Sequence, residues 1–328
     1  MNRANDIQDG YSLRLSFGFN FEDLYARDGL VKLDAIFLEE LRRAAPELHA
    51  RLLSARQAPA SLAAKQHSEL IIELAPYLED FAAQLFGIEA ELRNLQERHS
   101  ELAPLYSVKR RFVQRKALTG YTVERASEID GFAVGSELEA LLQEPLTEMS
   151  FANHVSRWLE AEPERAEHLQ LAAQYAAWAT LTPAGKARHG KGVLFKIPHK
   201  LDPYHFIPVH QTGNGLVRLE LSSDHWRRRE GFELTDPGTD LTGALDQAYY
   251  CIKCHNQEKD SCSTGLKEKN GAFKASVFGV TLAGCPLDEK ISEMNAVKGQ
   301  GNPIGALAVV VIDNPMCAGT GHRICNDC

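Results

Sequence analysis

The sequence predicts a mainly α-helical chain: an N-terminal helical domain, then an irregular linker, then a helical C-terminal segment. Three observations carry this. Apolar residues recur at steps of three and four through residues 1–183, the period of a helix face. Between 184 and 240 the texture turns to glycine, proline and short alternating runs. From 241 to 328 the chain holds all seven of its cysteines, a segregation that random placement does not produce.

Leu30, Leu33, Phe37, Leu41, Ala44, Leu48 and Leu52 form one apolar stripe, which Pro46 should kink or split. Ile71, Leu74, Leu78, Phe81, Leu85, Ile88, Leu92 and Leu95 form a second, longer seam suited to packing on the first helix. Pro76 should disturb its first turns, and Pro104 should lie beyond its end. The basic run Lys109, Arg110, Arg111, Arg115, Lys116 reads as a solvated helix face, since aromatics are sparse around it. Helices are expected over 137–146 and 163–179, with Trp158 and Trp178 as core anchors. Short strands are expected at 193–197 and 216–221, turns at 211–214 and 236–238, and helices at 241–250 and 304–313. No acid–base constellation stands out before residue 183.

The formal net charge of −8 gives no reason to expect nucleic acid or an anionic membrane as partner. No export signal or transmembrane run is visible, so a cytoplasmic setting is expected. In that reducing compartment clustered thiols read as ligands before disulfides.

The thiols are Cys251, Cys254, Cys262, Cys285, Cys317, Cys325 and Cys328. Three chemistries compete for them. Cys251-Ile252-Lys253-Cys254-His255 has the form of a c-type haem attachment site, but leaves five cysteines unused. The pairs Cys251/Cys254 and Cys325/Cys328 could close one structural zinc site and staple a helical interaction module without redox activity. An iron–sulfur reading uses most of the thiols: Cys251, Cys254 and Cys262 form a run, and Cys285-Pro286 offers a crossing ligand. His199, His205 and His210 lie in the irregular stretch without a recognisable ligand spacing. Gly299, Gly301 and Gly305 fall short of a dinucleotide fingerprint.

The order Tyr250-Cys251-Ile252-Lys253-Cys254, Gly284-Cys285-Pro286-Leu287, Ile291-Ser292-Glu293-Met294-Asn295, Ala306-Leu307, Asn314-Pro315 and Gly321-His322-Arg323-Ile324-Cys325 resembles the N-terminal cluster domain of the glutamate synthase small subunit and dihydropyrimidine dehydrogenase. The resemblance covers about a quarter of the chain. It implies a helical, ferredoxin-like domain for two 4Fe-4S clusters, truncated at its C-terminus, within an FAD- and NAD(P)H-dependent oxidoreductase. Its implied ligands are Cys251, Cys254 and Cys262 for one cluster and Cys285, Cys325 and Cys328 for the other. Each cluster would lack one ligand, and the flavin and nicotinamide domains would follow on this chain or on a flavoprotein partner. The stretch from Ser263 to Ala283 departs from the pattern and must loop out. Cys317 has no counterpart in the pattern and reads as a free or packed thiol.

Overall fold

The computed structural model describes residues 13–198 and 238–317, with 202–205, 207–212, 215, 218–226 and 230–233 between them. The chain is mainly α-helical. In order come α1 (Arg27–Ala44), α2 (Pro46–Gln57), α3 (Ala64–Phe86), α4 (Glu89–Val108), a π-helical stretch (Lys109–Ala117), α5 (Leu118–Gly120) and α6 (Val123–Ser127). These are followed by α7 (Gly131–Leu142), α8 (Glu148–Glu160), α9 (Ala166–Leu181) and α10 (Pro183–Arg188). The antiparallel pair β1 (Val209–Thr212) and β2 (Arg218–Leu221) sets Val209 opposite Leu221. Beyond it lie α11 (Leu241–Tyr250), α12 (Ser261–Thr264), α13 (Ile291–Gly299) and α14 (Pro303–Asp313). Among the described residues no helix is long and apolar enough to cross a membrane.

Two compact units share the chain. One combines Met1–Glu101 with Cys251–Cys328, and the other is Leu102–Tyr250. The cysteine-bearing segment therefore folds with the N-terminal helices, although the sequence texture alone suggests three consecutive stretches.

In the first unit α3 is the spine. Leu41, Leu48 and Leu70 form one small core with Phe37, Leu52 and Leu74 packed against it. A second core joins Ala75 of α3 to Val297, Ala306 and Val309 of α13 and α14. The contact is close: a Cβ on Gly305 would stand 2.8 Å from the Ala75 carbonyl oxygen. Fully buried Glu79 accepts the Gly305 N–H at 2.8 Å and Gln96 Nε2 at 2.9 Å. Its carboxylate thus meets the positive end of α14, although burial raises its pKa.

The prolines behave according to their place. Pro46 is the first residue of α2, where its missing N–H costs nothing, so the first stripe splits there as expected. Pro76 and Pro104 instead lie inside α3 and α4. An interior proline costs a helix about 3 kcal/mol; burial of Leu70, Ala75, Phe81, Ala83 and Leu85 along α3 outweighs it. The second apolar seam is two helices, broken at Gly87, whose φ of +66° closes α3 in the left-handed region.

In the second unit α9 is central, with Leu169, Ala172, Tyr175, Ala176, Trp178 and Ala179 buried. Gly131 starts α7 against it, and any Cβ there would fall 1.9 Å from the Trp178 ring. Trp158 and Trp178 both belong to this core, as expected. The basic run is only in part a solvated face: Arg111, Arg115 and Lys116 are exposed, but Lys109 is buried and lies 2.6 Å from Asp246. Residues 193–197 form no strand, because the Val193 and Leu194 N–H groups donate to Glu148 Oε2 at 2.8 and 3.0 Å.

Candidate functional site

The residues singled out by sequence lie where α11 ends and the chain enters the first unit. Lys253 takes a φ of +54°, which turns the backbone between Cys251 and Cys254. The Lys253 N–H then reaches Cys251 Sγ at 3.3 Å, and the Ser261 N–H reaches Cys254 Sγ at 3.3 Å. Both sulfurs thus accept backbone donors, and Cys254 is buried.

Beneath this turn runs a polar layer on α13. His255 Nδ1 and Ser292 Oγ are 2.5 Å apart, Cys251 Sγ lies 4.0 Å from the same hydroxyl, and Ser68 of α3 donates to Glu293 Oε1. Burial lowers the His255 pKa, which favours the neutral imidazole. Asp260 lies 3.5 Å from Lys290 Nζ. Burial, with the Glu293 charge adding to it, pushes Asp260 up to about 6. Cys262 and Cys285 meet through the backbone, Cys285 N–H donating to the Cys262 carbonyl at 2.9 Å. The Cys285 thiol donates to Glu289 Oε2 at 3.6 Å, and Asn314 Nδ2 donates to Glu289 Oε1 at 2.8 Å.

This geometry gives the resembling residues another use. Ile291, Ser292 and Glu293 are buried where α13 packs on α3, and Asn314 closes the hydrogen bonding of fully buried Glu289. Among the described residues no three Cys, His, Asp or Glu side chains converge as a metal group. Cys325 and Cys328 lie outside the described residues, as do His199, the 321–325 segment and most of the 236–238 turn. His205 is exposed and bonded to Asp202, and His210 lies exposed on β1. Gly301, with φ +93°, lies in the turn between α13 and α14, whereas Gly299 ends α13 and Gly305 lies inside α14.

A second feature, not marked by any sequence motif, lies on α2 and α3. There Leu52, Ala55, Leu62, Leu70, Ile71 and Leu74 line an open groove of about 670 Å³, with Arg56 and His67 among its walls. Asp34 holds Arg56 at 2.7 Å and keeps its own carboxyl below the usual range through that pair. Leu52, Ile71 and Leu74 of the groove belong to the two apolar stripes, which pack on each other only in part. Periodicity identifies an apolar face and does not say how much of it a neighbour covers.

Comparison with known proteins bears on the N-terminal helices and on most of the chain. Residues 15–87 match the family described as RP005 N-terminal alpha-helical domain. The uncharacterized protein RP005 of Rickettsia prowazekii (strain Madrid E) is 30% identical over 302 residues, covering 88% of this chain and 99% of that protein. No solved structure matches. These matches overturn the resemblance to the glutamate synthase and dihydropyrimidine dehydrogenase cluster domain, which rested on short segments, of which Ile291, Ser292 and Glu293 here pack α13 on α3. With it go the iron–sulfur electron-transfer role, the flavin- and nicotinamide-dependent oxidoreductase built on it, and the zinc-stapled alternative.

Proposed function

The chain belongs to the RP005 family, and on that premise we propose that it works as a helical binding module, its N-terminal domain taking an amphipathic helix of a partner protein into the groove between α2 and α3. The observation that carries this reading is the groove itself, which lies within the residues matched by the family. Its walls are apolar along two adjoining helices and it is open, not enclosed. A small-molecule site buries most of its ligand's surface. An open groove suits a helix that lays one apolar face down and leaves the other in water, anchored at i, i+3, i+4 and i+7. A reducing compartment, the cytoplasm, suits the thiols of the C-terminal segment.

The test uses the full chain with a photo-crosslinking amino acid at Ala55, which is half-buried on the groove wall. The expected product is a cross-link to a segment of another protein carrying apolar residues at helical spacing. It should be lost when Ile71→Glu places a charge in the groove while the thermal midpoint of the variant holds. A cross-link only to a second copy of this chain, or one that survives Ile71→Glu in a folded protein, would overturn the reading.

A further inference from the structure

The stretch between Cys262 and Cys285 folds as a twin turn with an apolar tip, and we infer that this tip is a docking element for an anionic lipid surface. The inference goes beyond the groove and does not depend on it. At the neck, Leu266 N–H donates to the Leu282 carbonyl at 3.0 Å, and Lys274 is bonded to both, its N–H to Leu266 O and its carbonyl from Leu282 N–H, each at 2.8 Å. Gly265 and Gly284 cross there so closely that a Cβ on Gly284 would fall 2.4 Å from the Gly265 nitrogen. The first turn is closed by Glu268 N–H to Ala272 O at 2.7 Å. The second is closed by Ser276 N–H to Val280 O at 2.7 Å, with Gly279 at φ +77° and Ser276 Oγ accepting the Phe278 and Val280 N–H groups.

This bonding fixes the backbone while leaving the side chains outward. Val277 is 58% exposed, Phe278 63% and Val280 49%. The backbone of the tip is ordered in advance, so docking it requires little further loss of conformational freedom. Around it are three exposed lysines, Lys267, Lys269 and Lys274, against one glutamate, Glu268, so the loop is locally basic in a chain of net charge −8. Lys267 keeps its ammonium over the Phe273 ring at 5.6 Å.

Two arguments choose a lipid surface over a protein partner. A stable protein interface needs roughly 800 Å² from each side, far more than three side chains on a narrow tip present. A bilayer interface needs no complementary shape: it accepts a few apolar side chains at headgroup depth and rewards flanking lysines when its lipids are anionic. The charge of the loop is complementary to such a surface and not to a neutral one.

The experiment is co-sedimentation of the full chain with vesicles of phosphatidylcholine alone and of equal parts phosphatidylcholine and phosphatidylserine. Binding is expected to the mixed vesicles, falling as salt is raised. Phe278→Asp should lower the partition roughly tenfold, and exchanging Lys267, Lys269 and Lys274 for Glu should lower it at least as far. Both substitutions are at exposed positions, so an unchanged thermal midpoint shows that the fold is intact; Val277→Asp serves as a second probe of the tip. Absence of binding to the mixed vesicles, equal binding to pure phosphatidylcholine, or binding indifferent to Phe278→Asp and Val277→Asp in folded protein would overturn the inference. A protein ligand lost with Phe278→Asp, in a chain that ignores both vesicles, would assign the tip to a protein pocket instead and overturn it as well.

Discussion

Replacing Gly192 by Ala should destabilise the second unit through a single carboxylate. A Cβ at that position would stand 2.0 Å from Glu148 Oε1 and 2.4 Å from Cδ, so the side chain must leave. In leaving, it gives up the Val193 and Leu194 N–H groups, which it accepts at 2.8 and 3.0 Å. A hydrogen bond to a charged group contributes about 1.5–3 kcal/mol, so losing the two, one of them at fully buried Leu194, should cost about 3–6 kcal/mol. The assay is urea unfolding followed by tryptophan fluorescence, since Trp158 and Trp178 lie in this unit's core. The decisive comparison is the double-mutant cycle with Glu148→Ala. In that background the clash is gone, and Gly192→Ala should cost less than about 0.5 kcal/mol. An equal cost in both backgrounds, or a negligible one in the wild type, would refute the account.

Leu138, which is fully buried in the same core, should lose about 2–5 kcal/mol on change to Ala, read as a lower urea midpoint at constant slope. His189 is pushed down to about 4 by burial, with the Arg188 charge beside it adding to the effect. The unfolded chain therefore takes up a proton near pH 6.5 that the folded chain refuses until about 4, so stability should fall as pH drops through that window. His189→Gln should flatten this slope in urea melts at several pH values; an unchanged slope would clear His189 of the role. Cys254 is buried and Cys251 half-buried, so peptide mapping after brief alkylation should find Cys251 modified before Cys254. Equal rates would mean that the Cys251–Cys254 turn opens as a unit.

The helices were legible because their signal is local. The α11 stretch matches its expected 241–250 bounds, and the split at Pro46 follows from the proline itself. The failures have physical causes. Pro76 and Pro104 lie inside helices because buried neighbours outweigh a local penalty that sequence reading counts in isolation. The strand expected at 193–197 did not form because its amides serve Glu148, some 45 residues away. The cysteine segment misled for a related reason. Ser292, Glu293 and Asn314 resemble parts of a cluster domain in sequence, whereas here they are buried and hydrogen-bonded to His255, to Ser68 of α3 and to Glu289 respectively.

The mainly helical character of the chain and the core places of Trp158 and Trp178 are legible in the sequence. Each depends on composition and period within a few turns. Only the tertiary structure decided that the cysteine-bearing segment packs on the N-terminal helices and that an open groove remains between α2 and α3. It alone also showed Val277 and Phe278 held outward on a fixed turn. The packing of the cysteine-bearing segment depends on surfaces that meet across more than two hundred residues, as where Ser68 meets Glu293, and no local periodicity records the partner that covers a face.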